Sequence, residues 1–66
     1  MKLYDRLKPE YKEKIDNYQY PFIKQSVLNA LEKRYKNDLT ILELSIILEA
    51  CDIYNHSLTA LNKLFD

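Results

Sequence analysis

The chain has 66 residues and none of them is glycine. Glycine reaches positive φ without steric cost, so its absence removes the usual means of building tight hairpins, bulges and phosphate-cradling loops. Helices joined by short connections are what such a chain can make most readily. Pro9 and Pro21 punctuate it, and proline fits the first turn of a helix while disrupting its interior. These constraints predict an all-α fold, a small three- to four-helix bundle in a single domain over residues 1 to 66, built around a central apolar helix at about 40 to 54.

Hydrophobic spacing places the segments. Leu7, Tyr11, Ile15 and Tyr18 recur at helical intervals and form one stripe, which Tyr4 extends, so a first helix is expected from about Pro9 to Gln19. Asp5 is an alternative, earlier cap for it. After Tyr20-Pro21 a second helix is expected from about Phe22 to Lys36, burying Ile23, Val27, Ala30, Leu31 and Tyr35 and turning Gln25, Asn29, Glu32, Lys33 and Lys36 outward. Lys33, Arg34 and Lys36 then fall in its last turn, where cations meet the negative end of the helix dipole.

Thr40 and Glu43 form a T-x-x-E capping box, the clearest start signal in the chain. The third helix is expected to run from there to about Tyr54. On a helical wheel Ser45, Glu49 and Asp52 share one narrow polar stripe, with apolar residues over most of the remaining circumference, so this helix must be covered from several sides. Asn55-His56 reads as a connection and Ser57 as an N-cap. Leu58, Leu61, Leu64 and Phe65 supply the apolar face of a short fourth helix.

A chain of this length buries only roughly 60% of the surface it exposes when unfolded. Supplementary stabilisation is therefore expected, and the sequence limits its source. The lone Cys51 excludes an intrachain disulfide, and the lone His56 has no second soft ligand near it, so no metal or cofactor is expected. A protein partner or a second copy, giving a homodimer, remains. No apolar run reaches the length of a signal peptide or a membrane span, which predicts a cytoplasmic protein with no membrane partner.

Catalysis requires positioned acids, bases or nucleophiles, and the candidates here are few. Cys51 falls on the apolar side of a helix and His56 in a turn, which reads as an inert thiol and a solvent-facing imidazole; no catalytic residue is expected. Two sets of residues have the character of a partner-binding surface. Ser45, Glu49 and Asp52 are either a solvated stripe or polar contacts to a partner. Among the six tyrosines, Tyr4, Tyr11 and Tyr18 are either the wet edge of the core or binding hot spots, because tyrosine joins a large apolar area to a polar tip.

Ten basic and ten acidic side chains give a formal net charge of zero, removing the general attraction to phosphate on which nucleic-acid binders rely. The balance is uneven along the chain. Residues 1 to 38 hold nine basic and six acidic groups, and residues 39 to 66 hold one basic and four acidic. The two halves either attract each other within the fold or guide docking. Residues 39 to 65 also fit a helix-turn-helix outline in which Ser57, Thr59, Asn62 and Lys63 would face bases, but this segment is acidic and direct nucleic-acid binding is not expected.

The same segment carries Leu39-Thr40, Glu43-Leu44, Ala50, Asp52, Leu58-Thr59 and Asn62-Lys63-Leu64-Phe65-Asp66. In this it resembles the Hha/YmoA family of small helical modulators of enterobacterial gene silencing, over residues 39 to 66, with one extra residue between Asp52 and Asn62. The resemblance implies a charged contact from Asp52 to a nucleoid-silencing protein. Independently of it, the composition leads to a small non-enzymatic regulatory or inhibitory protein that binds a larger protein target. The alternative is a self-associating structural subunit. In a mobility-shift assay at physiological salt, duplex DNA is expected to show no retardation at micromolar protein; saturable, salt-sensitive binding there would restore the helix-turn-helix reading.

Overall fold

A computed structural model describes all 66 residues, with helices as its main regular structure and no strand beyond one isolated bridge. Five α-helices follow one another: α1 (Leu3–Arg6), α2 (Pro9–Asp16), α3 (Pro21–Ala30), α4 (Ile41–Ala50) and α5 (Leu58–Asn62), with a 3₁₀ turn at Lys36–Asp38. No helix is long and apolar enough to cross a membrane. Both prolines occupy the first turn of their helices, as their chemistry requires. Lys2 rather than Asp5 precedes α1, and Asp5 lies inside its first turn.

The core is a single cluster of 14 buried residues, all apolar, drawn from every helix and from the segments that follow α1, α3, α4 and α5. Leu3, Ile15, Val27, Leu31, Ile47, Leu61 and Leu64 are fully buried. The helix α4 packs against α3 and α5, with Leu44 and Ile46 half-buried on the core and full cover only from Ile47 onward. Ile47, Leu48, Ala50 and Cys51 are buried, while Ile41 and Leu42 stand in solvent.

Three helices stop earlier than their hydrophobic periodicity predicts. The helix α3 ends at Ala30, not Lys36: the N–H groups of Glu32 and Lys33 donate to the carbonyls three residues back, Asn29 O and Ala30 O, at 3.2 Å each, and the segment beyond is tied to α1 instead. Tyr4 N–H donates to Leu31 O at 3.0 Å and Leu3 N–H to Lys33 O at 2.7 Å, which satisfies the otherwise orphaned donors at the start of α1. Lys33, Arg34 and Lys36 therefore lie beyond the helix rather than in its last turn, and Tyr35 is 67% exposed instead of buried. Ile23, also expected inside, is 42% exposed. The helix α2 ends at Asp16, three residues short of Gln19.

The helix α4 ends at Ala50, not Tyr54, through a Schellman arrangement. Ile53 N–H donates to Leu48 O at 2.9 Å and Asp52 N–H to Glu49 O at 3.0 Å, the paired bonds by which a helix closes around a left-handed residue. That residue is Asp52, with φ of 62°. In a chain without glycine it is the aspartate that occupies the left-handed position, one of the few side chains tolerated there. Ile53 then turns back and packs on the core beside Leu48.

At the other end of α4 the capping box is complete. Glu43 N–H donates to Thr40 Oγ1 at 3.1 Å, and Thr40 N–H donates to Glu43 Oε1 at 2.9 Å. The same carboxylate oxygen accepts from Lys33 Nζ at 2.7 Å, and Lys33 also donates to Asp38 O at 2.9 Å. Ser57 caps α5 by accepting from Ala60 N–H at 3.1 Å. Finally the two ends of the chain meet: Leu7 and Phe65 form an isolated antiparallel bridge, with Lys8 N–H on Leu64 O at 2.9 Å and Asp66 N–H on Arg6 O at 3.2 Å. The Arg6 and Lys36 cations lie 5.8 and 5.5 Å from the centre of the Phe65 ring.

Two outcomes follow from these helix ends. Asp52→Gly and Asp52→Ala both remove the carboxylate, so their difference isolates the backbone; the glycine variant is expected to be about 1 kcal/mol more stable in urea denaturation, reversing the usual helix order. Equal stability, or the alanine variant ahead, would show that the left-handed position imposes no demand. The second outcome concerns Glu43, whose carboxyl is held below its ordinary value of 4.5, first by Lys33 and then by the Thr40 backbone N–H. A carboxyl lowered in the fold contributes stability that is complete above its unfolded pKa and is lost as pH falls through the lower folded value. Glu43→Gln keeps an acceptor for the Thr40 N–H and loses the charge pair with Lys33, so it is expected to be less stable at neutral pH by at most about 1 kcal/mol and to decline less steeply than the parent below about pH 4.5; identical acid slopes in urea titrations would remove Glu43 from this role.

Candidate interaction surface

The polar stripe expected on α4 is divided in the fold. Ser45 spends its hydroxyl on Ile41 O at 2.9 Å. Glu49 Oε2 lies 3.0 Å from His56 Nε2, and Asp52 Oδ2 accepts from Lys14 Nζ at 2.9 Å. Because α4 ends before Asp52, that carboxylate is turned toward α2 instead of continuing the line of Ser45 and Glu49. Its apolar border also differs from expectation: Leu42 is exposed and Ile53 half-buried, but Leu48 is fully buried.

These pairs leave much of each carboxylate in water. The side chain of Asp52 is 70% exposed and that of Glu49 46%, so each ion pair is of the screened, weakly stabilising kind. Hydrogen bonding to Asp52, followed by its negative charge, raises the Lys14 pKa above the usual lysine value. Two residues after Asp52 in sequence, Tyr54 is 74% exposed. Residues 49 to 56, at the C-terminal end of α4, thus carry within one short segment two solvent-exposed carboxylates and an open aromatic ring. His56 adds positive charge only when protonated.

The tyrosine stripe divides differently. Tyr4, Tyr11 and Tyr18 are half-buried and packed on the core. The Tyr4 hydroxyl donates to the Asp16 carboxylate, 3.0 Å from both oxygens, and the Lys12 ammonium lies 5.1 Å from the centre of its ring. Burial first, and the Asp16 hydrogen bond second, push the Tyr4 pKa upward. Tyr18 meets Tyr20 edge to face, ring centres 5.5 Å apart. Tyr20, Tyr35 and Tyr54 are the open tyrosines instead. Cys51 is buried, and burial raises its thiol to about 11, so it stays protonated at neutral pH. Its neighbour in sequence, His56, faces Glu49 and not the thiol. No group of three His, Cys, Asp or Glu side chains is placed to hold a metal ion.

A surface that the periodicity did not reveal lies between α3 and α4. Phe22, Ile23, Leu42 and Ile46, with Ser26 and Asn29, line an open groove of about 410 Å³. Phe22 is 91% exposed, Ile41 86% and Leu42 72%. One signal for it was present in the sequence. Phe22-Ile23 and Ile41-Leu42 are apolar pairs in the first turn of a helix, beyond the reach of the residues that cover the middle of α4. Comparison with known proteins finds no matching family model, no similar curated protein and no similar solved structure.

Proposed function

We propose that the chain is a small non-enzymatic regulatory protein that binds a larger protein, using the acidic segment at residues 49 to 56. The observation that carries this reading is the exposure of Tyr54 in the same short segment as the carboxylates of Glu49 and Asp52. An open tyrosine supplies contact area with little loss of side-chain entropy, and flanking charges supply orientation and encounter rate. A partner with a basic patch suits such a segment. The resemblance of residues 39 to 66 to the Hha/YmoA family supports the same kind of action, since there too the aspartate corresponding to Asp52 makes charged contacts with a nucleoid-silencing protein. Ser45 lies farther back on the same helix with its hydroxyl bonded to Ile41 O, and in this reading it stands outside the contact. The tethered Tyr4, Tyr11 and Tyr18 belong to the framework of this reading rather than to its contact surface.

The helix-turn-helix alternative gains nothing from the fold. The connection between α4 and α5 spans residues 51 to 57, and α5 is a helix of barely more than one turn, whereas the motif needs a short turn and a recognition helix long enough to enter a groove.

Glu49→Lys combined with Tyr54→Ala tests the reading while leaving the Lys14 to Asp52 pair and the Asp52 backbone intact. The double variant is expected to melt with the parent but to bind the protein captured by the parent from its native cell at least ten-fold more weakly, about 1.4 kcal/mol. Full affinity in the double variant would place the contact elsewhere on the molecule.

A further inference from the structure

The charges of residues 49 to 56 are not equally free. Cys51 is buried and stays a neutral thiol. Asp52 is matched by Lys14 Nζ, reaching over from α2 at 2.9 Å. A carboxylate and an ammonium both keep their charge through the neutral range, so this pair contributes no net charge there. Glu49 is left, and the group that faces it is His56, with Nε2 3.0 Å from Oε2. The next element, α5, brings no charge of its own to the imidazole, since its residues are Leu-Thr-Ala-Leu-Asn. Histidine is the side chain whose charge ordinarily changes between about pH 5 and pH 8, and this chain has one. We infer, on the reading of residues 49 to 56 as the docking surface, that His56 is a proton switch for that surface. With a neutral imidazole Glu49 is an uncompensated anion open to a basic partner; with an imidazolium the same carboxylate is cancelled.

Hydrogen-bond chemistry identifies the proton. An ionised carboxylate only accepts, so the imidazole nitrogen facing it carries a hydrogen. Nε2 therefore donates to Glu49 in both charge states, and the proton that is gained or lost is the one on Nδ1. The contact is kept while its character changes from a neutral donor on a carboxylate to a charge-assisted ion pair. Counted over Glu49, Asp52, Lys14 and His56, protonation takes the group from one net negative charge to none.

Exposure sets both access and size. The His56 and Glu49 side chains are 36% and 46% exposed, so water delivers the proton and a partner can reach the carboxylate. The same water screens the charge, which limits its effect on affinity to a few-fold. The sign is fixed: affinity for a cationic partner rises with pH as the imidazole becomes neutral.

Tetralysine, titrated into the intact chain at low ionic strength and followed by nuclear magnetic resonance, tests the switch. At about pH 8 the peptide is expected to shift the amide resonances of Glu49, Tyr54 and His56 saturably, and at about pH 5.5 to bind about three- to five-fold more weakly. In His56→Gln, whose neutral amide still offers Glu49 a donor, the affinity at both pH values is expected to equal the parent's at high pH. Glu49→Gln is expected to bind at the weaker level at both. Without any probe, the side-chain carboxyl carbon resonance of Glu49 is expected to inflect together with the His56 ring resonances, while that of Glu32, which pairs with Lys2, shows no inflection with them. Equal parent affinity at the two pH values, a pH dependence that persists in His56→Gln, or a Glu49 resonance without the inflection would each overturn the switch and leave the docking reading standing. No shift in residues 49 to 56 at about pH 8 would overturn both.

Discussion

One carboxylate oxygen sets the relation between the two halves of the chain. Glu43 Oε1 accepts from the Thr40 backbone N–H, which fixes where α4 begins, and from the Lys33 ammonium, which fixes where the turn after α3 passes. The carbonyl of Lys33 in turn receives Leu3 N–H, so the entry of the first helix is defined by the same turn. Every link is polar, yet together they place four apolar residues, Leu3, Leu31, Ile47 and Leu48, at full burial in one cluster. The polar contacts contribute little individually in a partly solvated setting. Their effect is on which packing forms, while burial of apolar surface supplies the driving force.

Local signals in the sequence were the ones that could be read. The capping box, the Ser57 cap and the first-turn prolines each depend on residues within a few positions, and each appears in the fold with the expected partner. The all-helical class follows from the same source. Helix ends were less legible because their causes are distant or uncommon. Nothing near Ala30 announces that Glu32 and Lys33 will bond three residues back and that the segment after them will be held by Tyr4 and Leu3. At Asp52 the usual marker of a helix stop, glycine, is missing, and aspartate in that position reads as one more polar residue on a helix. The lost turn moves Asp52 out of the stripe with Ser45 and Glu49 and brings it to Lys14.

The candidate surfaces show the same division. Periodicity groups residues by angle around a helix axis and is blind to position along it. Tyr4, Tyr11 and Tyr18 share an angle only on an uninterrupted helix; the fold sets them in α1, in α2 and beyond the end of α2, and each packs half-buried on the core. Ile41 and Leu42 share their angular range with other residues of α4 but sit at its first turn, past the edge of what α3 and α5 cover, and so remain exposed. The uneven charge of the chain is resolved in part internally, by the Lys14 to Asp52 and Lys33 to Glu43 pairs, each joining the basic first half to the acidic second.

The bridge between Leu7 and Phe65 gives the order of synthesis a particular weight. The helical turn Leu3–Arg6 is made well before its neighbours Leu64 and Phe65. Until they emerge, Leu3 and Leu7 lack part of their cover, and the contact that completes the core spans nearly the whole length of the chain. Most domains begin folding as they leave the ribosome, and helical proteins generally fold fast because their contacts are local. In this chain local helices form early, but the closed core awaits the α5 segment. During that interval Leu3, Leu7 and the face of α4 destined for α5 are open to whatever binds nascent apolar chain.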